Sequence, residues 1–218
     1  MKFNEKNIYE HATQFIENFS EKHNGVSNVY VFTSVDKNGN VVDEKYGMNL
    51  MTRQGFSEIY ANGVAFGARD DSGNTVRLYV GTGVGETPYA VTDTELELPA
   101  FGGLAATNSN TAKAYNYPMF FSKGENDGEG FITLISRFVT AYYDYNISNF
   151  PGEYNLTEYG IKHNNVLCTH SKIYDMRGNP ASITKTSNER LYITVYMCLS
   201  FYESIIMNGW NKNRFTMI

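Results

Sequence analysis

Four short stretches carry residue types that could do chemistry. Gly81-Thr82-Gly83-Val84-Gly85 alternates glycines in the manner of a phosphate-cradling loop. A Walker loop ends in Gly-Lys-Ser/Thr, and no such triplet occurs. A dinucleotide fingerprint is G-x-G-x-x-G opening a helix. Here the third glycine comes one residue early, and Pro88 with the threonines after it opposes an immediate helix. The run reads as a turn between strands, with no nucleotide cofactor. Cys168-Thr169-His170 puts two potential metal ligands on one face of a strand, with His163 nearby. Zinc needs about four ligands in a closed set, and Cys198 would have to be brought in by folding. We read these as packed and surface residues, and the two cysteines as reduced, buried thiols.

The other two stretches are acidic. Asp36, Asn38 and Asn40 alternate like calcium ligands, but an EF-hand needs Gly where Val41 stands and Glu where Gly47 stands. A β-turn is the simpler reading. Glu125, Asp127 and Glu129 lie among the glycines of KGENDGEG, without apolar surroundings to tune them for acid–base work. The only histidines are His11, His23, His163 and His170, and no GxSxG elbow offers a nucleophile for them to activate. The Asn-x-Ser/Thr matches at Asn18, Asn146 and Asn155 mean nothing without a secretory route. The expectation is a protein with no catalytic residues, no cofactor and no metal site.

The elements around these stretches are mostly strands. The first is an exception: Ile8, Ala12, Phe15, Ile16 and Phe19 share one face of a helix over 4–23, stopped by Asn24-Gly25. Val29–Val35 and Val41–Lys45 form a hairpin around Asp36–Asn40. Thr52 is placed to cap a short helix bearing Phe56, Ile59 and Tyr60, and Asp70–Asn74 is a surface turn. Val76, Leu78 and Val80 alternate as a strand, and Glu95–Leu98 reads as a second extended segment. A short strand is expected near Met119–Phe121, then an exposed acidic turn over Lys123–Gly130. Phe131–Tyr145 is a long strand. Ile132, Leu134, Phe138 and Tyr142 fall on one face, and Ile135, Val139, Ala141 and Tyr143 on the other. Leu167–Tyr174 is extended and Asp175–Pro180 is a turn. Arg190–Glu203 alternates most cleanly, with Leu191, Ile193, Val195, Met197, Leu199 and Phe201 on one side and tyrosines on the other. Tyr192, Tyr196 and Tyr202 of that row, with Tyr143, Trp210 and Phe215, are the interface candidates.

At 218 residues, 42% of them hydrophobic and 19% charged, the chain can build a core and is not generally disordered. We expect a mainly β fold, a sandwich or jelly-roll-like body at 26–204, with an N-terminal helix at 1–25, a short internal helix and a tail at 205–218. A net charge of −5 without a Lys/Arg cluster argues against a dedicated nucleic-acid surface. No stretch reaches the ~18 apolar residues of a membrane helix. The start, MKFNEKNIYEHATQF, lacks a signal-peptide core, which points to synthesis in a cytoplasm.

Several passages, in order, resemble a family of bacteriophage virion structural proteins. Asn49-Leu50-Met51-Thr52 with Gly55 resembles its N-L-x-T-x-x-G, and Leu78–Gly83 its strand-GTG. Pro88 with Thr92–Leu96 resembles its P…TDT-x-L, and Leu156–Ile161 its (I/L)-T-E-x-G-(I/L). Ile183-Thr184-Lys185 resembles its I-x-K. The likeness covers roughly 49–201. It implies a non-enzymatic component of the tail, neck, collar or fibre apparatus of a tailed phage. Such a protein is synthesised in the host bacterial cytoplasm and located in the virion. It works as a homo-oligomer in contact with neighbouring virion proteins. The alternative is a carbohydrate-binding, host-recognition module of a phage fibre, with exposed tyrosines and Trp210 stacking on sugars.

Overall fold

The alternation around Leu191, Ile193 and Val195 makes the central strand of the main sheet. A computed structural model describes residues 1–18, 25–48, 52–55, 57, 77–83, 90–100, 104–105, 119–126, 129–145, 153–163 and 165–202, with the backbone alone at 5, 16–18, 25–28, 77, 104–105, 119–126, 129–141 and 197–202. In chain order the elements are α1 (Glu5–Asn18), β1 (Gly25–Asp36), β2 (Val41–Met48), β3 (Arg77–Gly81), β4 (Leu104–Ala105) and β5 (Met119–Asn126). They continue with β6 (Glu129–Tyr143), β7 (Tyr154–Leu156), β8 (Glu158–His163), β9 (Val166–Lys172), β10 (Ile183–Lys185) and β11 (Glu189–Tyr202). One sheet has the order β2-β1-β11-β6-β5, a second β4-β3-β8-β9, and a ribbon pairs β10 with β7. The paired strands run antiparallel.

Period-2 alternation divides β1 and β11 between two cores. Tyr30, Phe32, Leu191, Ile193 and Val195 pack with Leu78 and Val80 of β3 and Tyr159 and Ile161 of β8, so the two sheets enclose the main core. The intervening residues Val29, Val31 and Tyr196 pack with Ile8, Ala12 and Phe15 of α1 and with Tyr46. The helix therefore covers the outer face of the main sheet, and Ile8, Ala12 and Phe15 of its apolar stripe are buried by its own chain, while the side chain of Ile16, and Phe19 entirely, lie outside the described residues. The fold is mainly β, as expected, with antiparallel sheets packed on each other.

Three expectations need correction. Along β6 the register passes from Val195↔Val139 to Tyr196↔Arg137, leaving Phe138 as an extra residue. Strict two-residue alternation from Phe131 to Tyr145 fails across that bulge, because one added residue reverses the parity of faces. Lys123–Asn126 continues β5 and pairs with Glu129–Ile132, so KGENDGEG is mainly hairpin strand instead of a long exposed turn. Glu95–Leu98 is not a strand: two of its amides donate to a side chain described below.

The turns follow their residues closely. Asp36 Oδ1 accepts the amides of Asn38 and Asn40, both at 2.8 Å, and Gly39 takes φ 79°. Asp175 Oδ1 does the same for Arg177 and Asn179, at 2.8 and 2.9 Å, with Gly178 at φ 81°. One string, D-x-x-G-N, thus builds one turn twice: the aspartate caps the loop and glycine occupies the left-handed position. Thr52 caps a short helical turn, its Oγ1 accepting the Gly55 amide at 2.9 Å. Phe56, Ile59, Tyr60 and Asp70–Asn74 lie outside the described residues. The outer edge of β2 is blunted: Val41 N donates to Met1 O, Tyr46 exchanges bonds with Tyr174, and Asp43 Oδ1 takes the Glu44 amide.

Candidate functional site

Residues of three separate stretches, Gly81–Gly83, Asp93–Leu98 and Leu156–Gly160, meet at the first residue of β8. Glu158 pairs with Gly81 across to β3 and with Lys172 across to β9. A β-carbon on Gly81 or Gly83 would stand under 3.0 Å from Glu158 Oε1, so the missing side chains make the space that the glutamate fills. Oε1 accepts the amides of Leu98 at 2.7 Å and Gly83 at 3.2 Å, and Oε2 accepts that of Glu97 at 3.0 Å. His170 Nε2 lies 2.7 Å from the same Oε2, and His170 Nδ1 lies 2.7 Å from Asp93 Oδ2. Asp93 Oδ2 also accepts the Ala90 amide at 2.9 Å. Glu158 is 0% exposed and His170 2%.

The same motifs also lock by shape. Leu96 packs over Gly160, where a β-carbon would come within 2.9 Å of it. Thr157 donates its amide to Gly81 O at 2.9 Å and its hydroxyl to Gly83 O at 2.5 Å. Thr52 Oγ1 donates to Leu167 O at 2.5 Å, and a side chain on Gly55 would collide with the Cys168 backbone. Ile183 of the last motif is buried in the main core beside Leu156.

Electrostatically the glutamate is fully used. Burial pushes its carboxyl up, but the bond to His170, the amides of Leu98 and Glu97 and the imidazole's charge outweigh burial and hold it below the usual value. A carboxylate has about four acceptor sites, and four donors surround this one. One glycine of the run, Gly83, thus gives its amide to an anion, but that anion is the protein's own carboxylate and the other two amides on it come from Glu97 and Leu98. The reading of the run as a plain turn missed that role. Chemically the arrangement holds things in place: both ring nitrogens of His170 are occupied, so neither can serve a substrate without breaking the network. A cavity of about 330 Å³ lies beside it, and the described residues that line it, Gly83, Thr157, Lys172, Pro180, Ala181 and Ser182, include no carboxylate or imidazole.

Comparison with protein-family models, with curated proteins and with solved structures finds no match to this chain.

The interface candidates are placed as follows. Tyr196 is buried under α1, its ring 5.7 Å from that of Tyr9. Tyr143 is buried in the main core and donates to Leu78 O at 3.3 Å. Tyr192 is half-buried, with Phe3 stacked on it at 4.3 Å and Tyr142 at 5.5 Å. These three are engaged within the chain. The side chain of Tyr202, and Trp210 and Phe215 entirely, lie outside the described residues. Cys168 is buried and His163 is 1% exposed, on strands β9 and β8. The Asp36 carboxylate is spent on its turn, where bonds from Asn40 hold it below the ordinary range. Among the described residues no group of three His, Cys, Asp or Glu side chains is placed to hold a metal, and no helix is long and apolar enough to cross a membrane.

Sequence reasoning missed Glu158, His170 and Asp93 as one unit. The signal was there in part: a glutamate and an aspartate inside two of the motifs, and one histidine on a strand. Nothing local says that they touch, because His170 stands 77 positions from Asp93.

Proposed function

We propose that this chain is a non-enzymatic structural component of a tailed-phage virion, working by oligomeric assembly in the tail, neck or collar/fibre apparatus. One observation supports this above the others. Residues from three of the five passages that carry the resemblance, Gly83, Asp93 and Glu158, meet in a closed polar knot, completed by His170, that ties the 90–98 segment to the β8–β9 pair. Motifs that served catalysis would be expected to present groups to an open cleft, whereas these are consumed in holding a shape. The amide of Gly83, in the run that resembles a phosphate loop, is already given to an internal carboxylate.

The test is to purify particles of the phage that encodes the chain, detect it by mass spectrometry and locate it by electron microscopy. The expected result is a fixed number of copies per particle, each burying well over ~1,000 Å² against its neighbours. Absence from the particle, together with turnover of a substrate by the isolated protein, overturns the reading. Saturable glycan binding by an exposed copy moves it to the host-recognition alternative.

A further inference from the structure

The His170 ring is held between two groups that only accept. Nδ1 lies 2.7 Å from Asp93 Oδ2, and Nε2 lies 2.7 Å from Glu158 Oε2. A neutral imidazole donates through one nitrogen and presents a lone pair on the other. That lone pair would point at a carboxylate oxygen, whichever tautomer formed. Relief from the carboxylate side is blocked for Glu158, whose oxygens already accept three amides. Asp93 Oδ2 likewise accepts the Ala90 amide. The network closes only if its three side chains hold one proton more than a neutral ring between two carboxylates.

We propose that this extra proton is the pin of a latch: Asp93, His170 and Glu158 clamp the 90–98 segment onto β8 and β9 while the proton is present, and let it go when it is lost. Among the described residues the segment is also held to β3 and to the 52–55 turn, where Thr82 N donates to Leu98 O, Arg53 N to Val91 O and Gln54 Nε2 to Asp93 O, and these ties stay when the latch opens. Leu96 packs on Gly160, and Lys162 of β8 pairs with Glu95. The charged groups around the imidazole are Asp93 from the segment, Glu158 from β8, and Glu97, whose carboxylate also lies at Gly83. Lys172 stands opposite Glu158 on β9, and β3 brings only glycine to this point. Release acts on a displayed surface. The segment carries Val91, 40% exposed, and Leu98, 57% exposed, which are two of the four large apolar residues that stand out among the described ones. Proton loss would therefore reshape an apolar and acidic ridge without unfolding the sandwich.

The test uses the full chain labelled with nitrogen-15. Amide exchange is then followed against pH at Gly83, Glu97 and Leu98, with Val31 of β1 as the internal reference. The expected result is a protection loss of about tenfold at the three latch amides on the alkaline side, with Val31 unchanged. Parallel behaviour of all four amides overturns the proposal. In Asp93→Asn the side-chain amide can either donate to or accept from Nδ1, so a neutral ring is satisfied and the alkaline loss should vanish. His170→Gln should show no alkaline loss either. If that variant fails to fold, Asp93→Asn decides alone, and an unchanged profile in it sinks the latch.

Discussion

Glu158 is a residue whose surroundings cannot be exchanged for water, since it is wholly buried and every acceptor site is filled. Glu158→Gln keeps the volume but sets an NH2 against donors already in place. The expected cost is about 3 kcal/mol, read from urea denaturation at neutral pH. The pH dependence follows from the direction of its shift. Its folded value is depressed, so its contribution is complete above the unfolded glutamate value of about 4.3 and is lost as pH falls through the folded value. Wild-type stability should decline on the acid side of that point, and Glu158→Gln should decline less steeply. An equal slope in both would remove Glu158 as a source of acid sensitivity. At this scale the sequence was half legible. Gly81 and Gly83 announce a close approach of backbone, but the approaching group lies 75 positions away from Gly83. Chemistry between distant, ordinary polar residues leaves no periodic trace.

Elements were more legible, because burial imposes a period on the chain. Leu191, Ile193 and Val195 alternate along β11 and do face the main core. Ile8, Ala12 and Phe15 recur at helical spacing and do face the sheet. Legibility failed where a local rule was overridden. The extra Phe138 on β6 reverses the alternation, and Glu95–Leu98 gives its amides to a carboxylate in place of a neighbouring strand. The strength of the helix–sheet contact can be measured. Phe15 is completely buried and its ring stacks on that of Tyr46 at 4.9 Å. Phe15→Ala should cost about 3–4 kcal/mol and leave a cavity between helix and sheet. Val195→Asp should be worse and prevent folding, since it places an unpaired charge between the two sheets. A cooperative melt of soluble Val195→Asp at the wild-type temperature would show that the face of β11 has been misread.

Over the whole molecule, the described aromatic side chains are largely used inside the chain. α1 takes Tyr196, the sandwich takes Tyr143, and Phe3 takes a face of Tyr192. Arg190 lies over Tyr142 and Tyr145, at 4.5 and 4.9 Å, and pairs with Asp144. An abundance of tyrosine in the sequence is thus partly a property of the core, which composition alone could not separate from an assembly surface. The surface for neighbours is better sought at Val91, Leu98 and Val42, which stand exposed. In particles these are the residues expected to become covered, and the particle structure that tests the assembly reading reports on them directly.

The knot joins positions 60, 75 and 77 apart in the chain. Its bonds have no meaning until β3, β8 and β9 have paired, for closing such large loops earlier would cost entropy with nothing to hold them. It should therefore be among the last native interactions to form and the first to break. In stopped-flow chevrons, Asp93→Ala is expected to leave the refolding rate within about twofold of wild type and to put nearly all of its destabilisation into faster unfolding. A refolding rate that falls in proportion to the lost stability would place the knot in the folding nucleus. On the expected outcome, the knot adds lifetime to the finished fold without guiding the chain towards it.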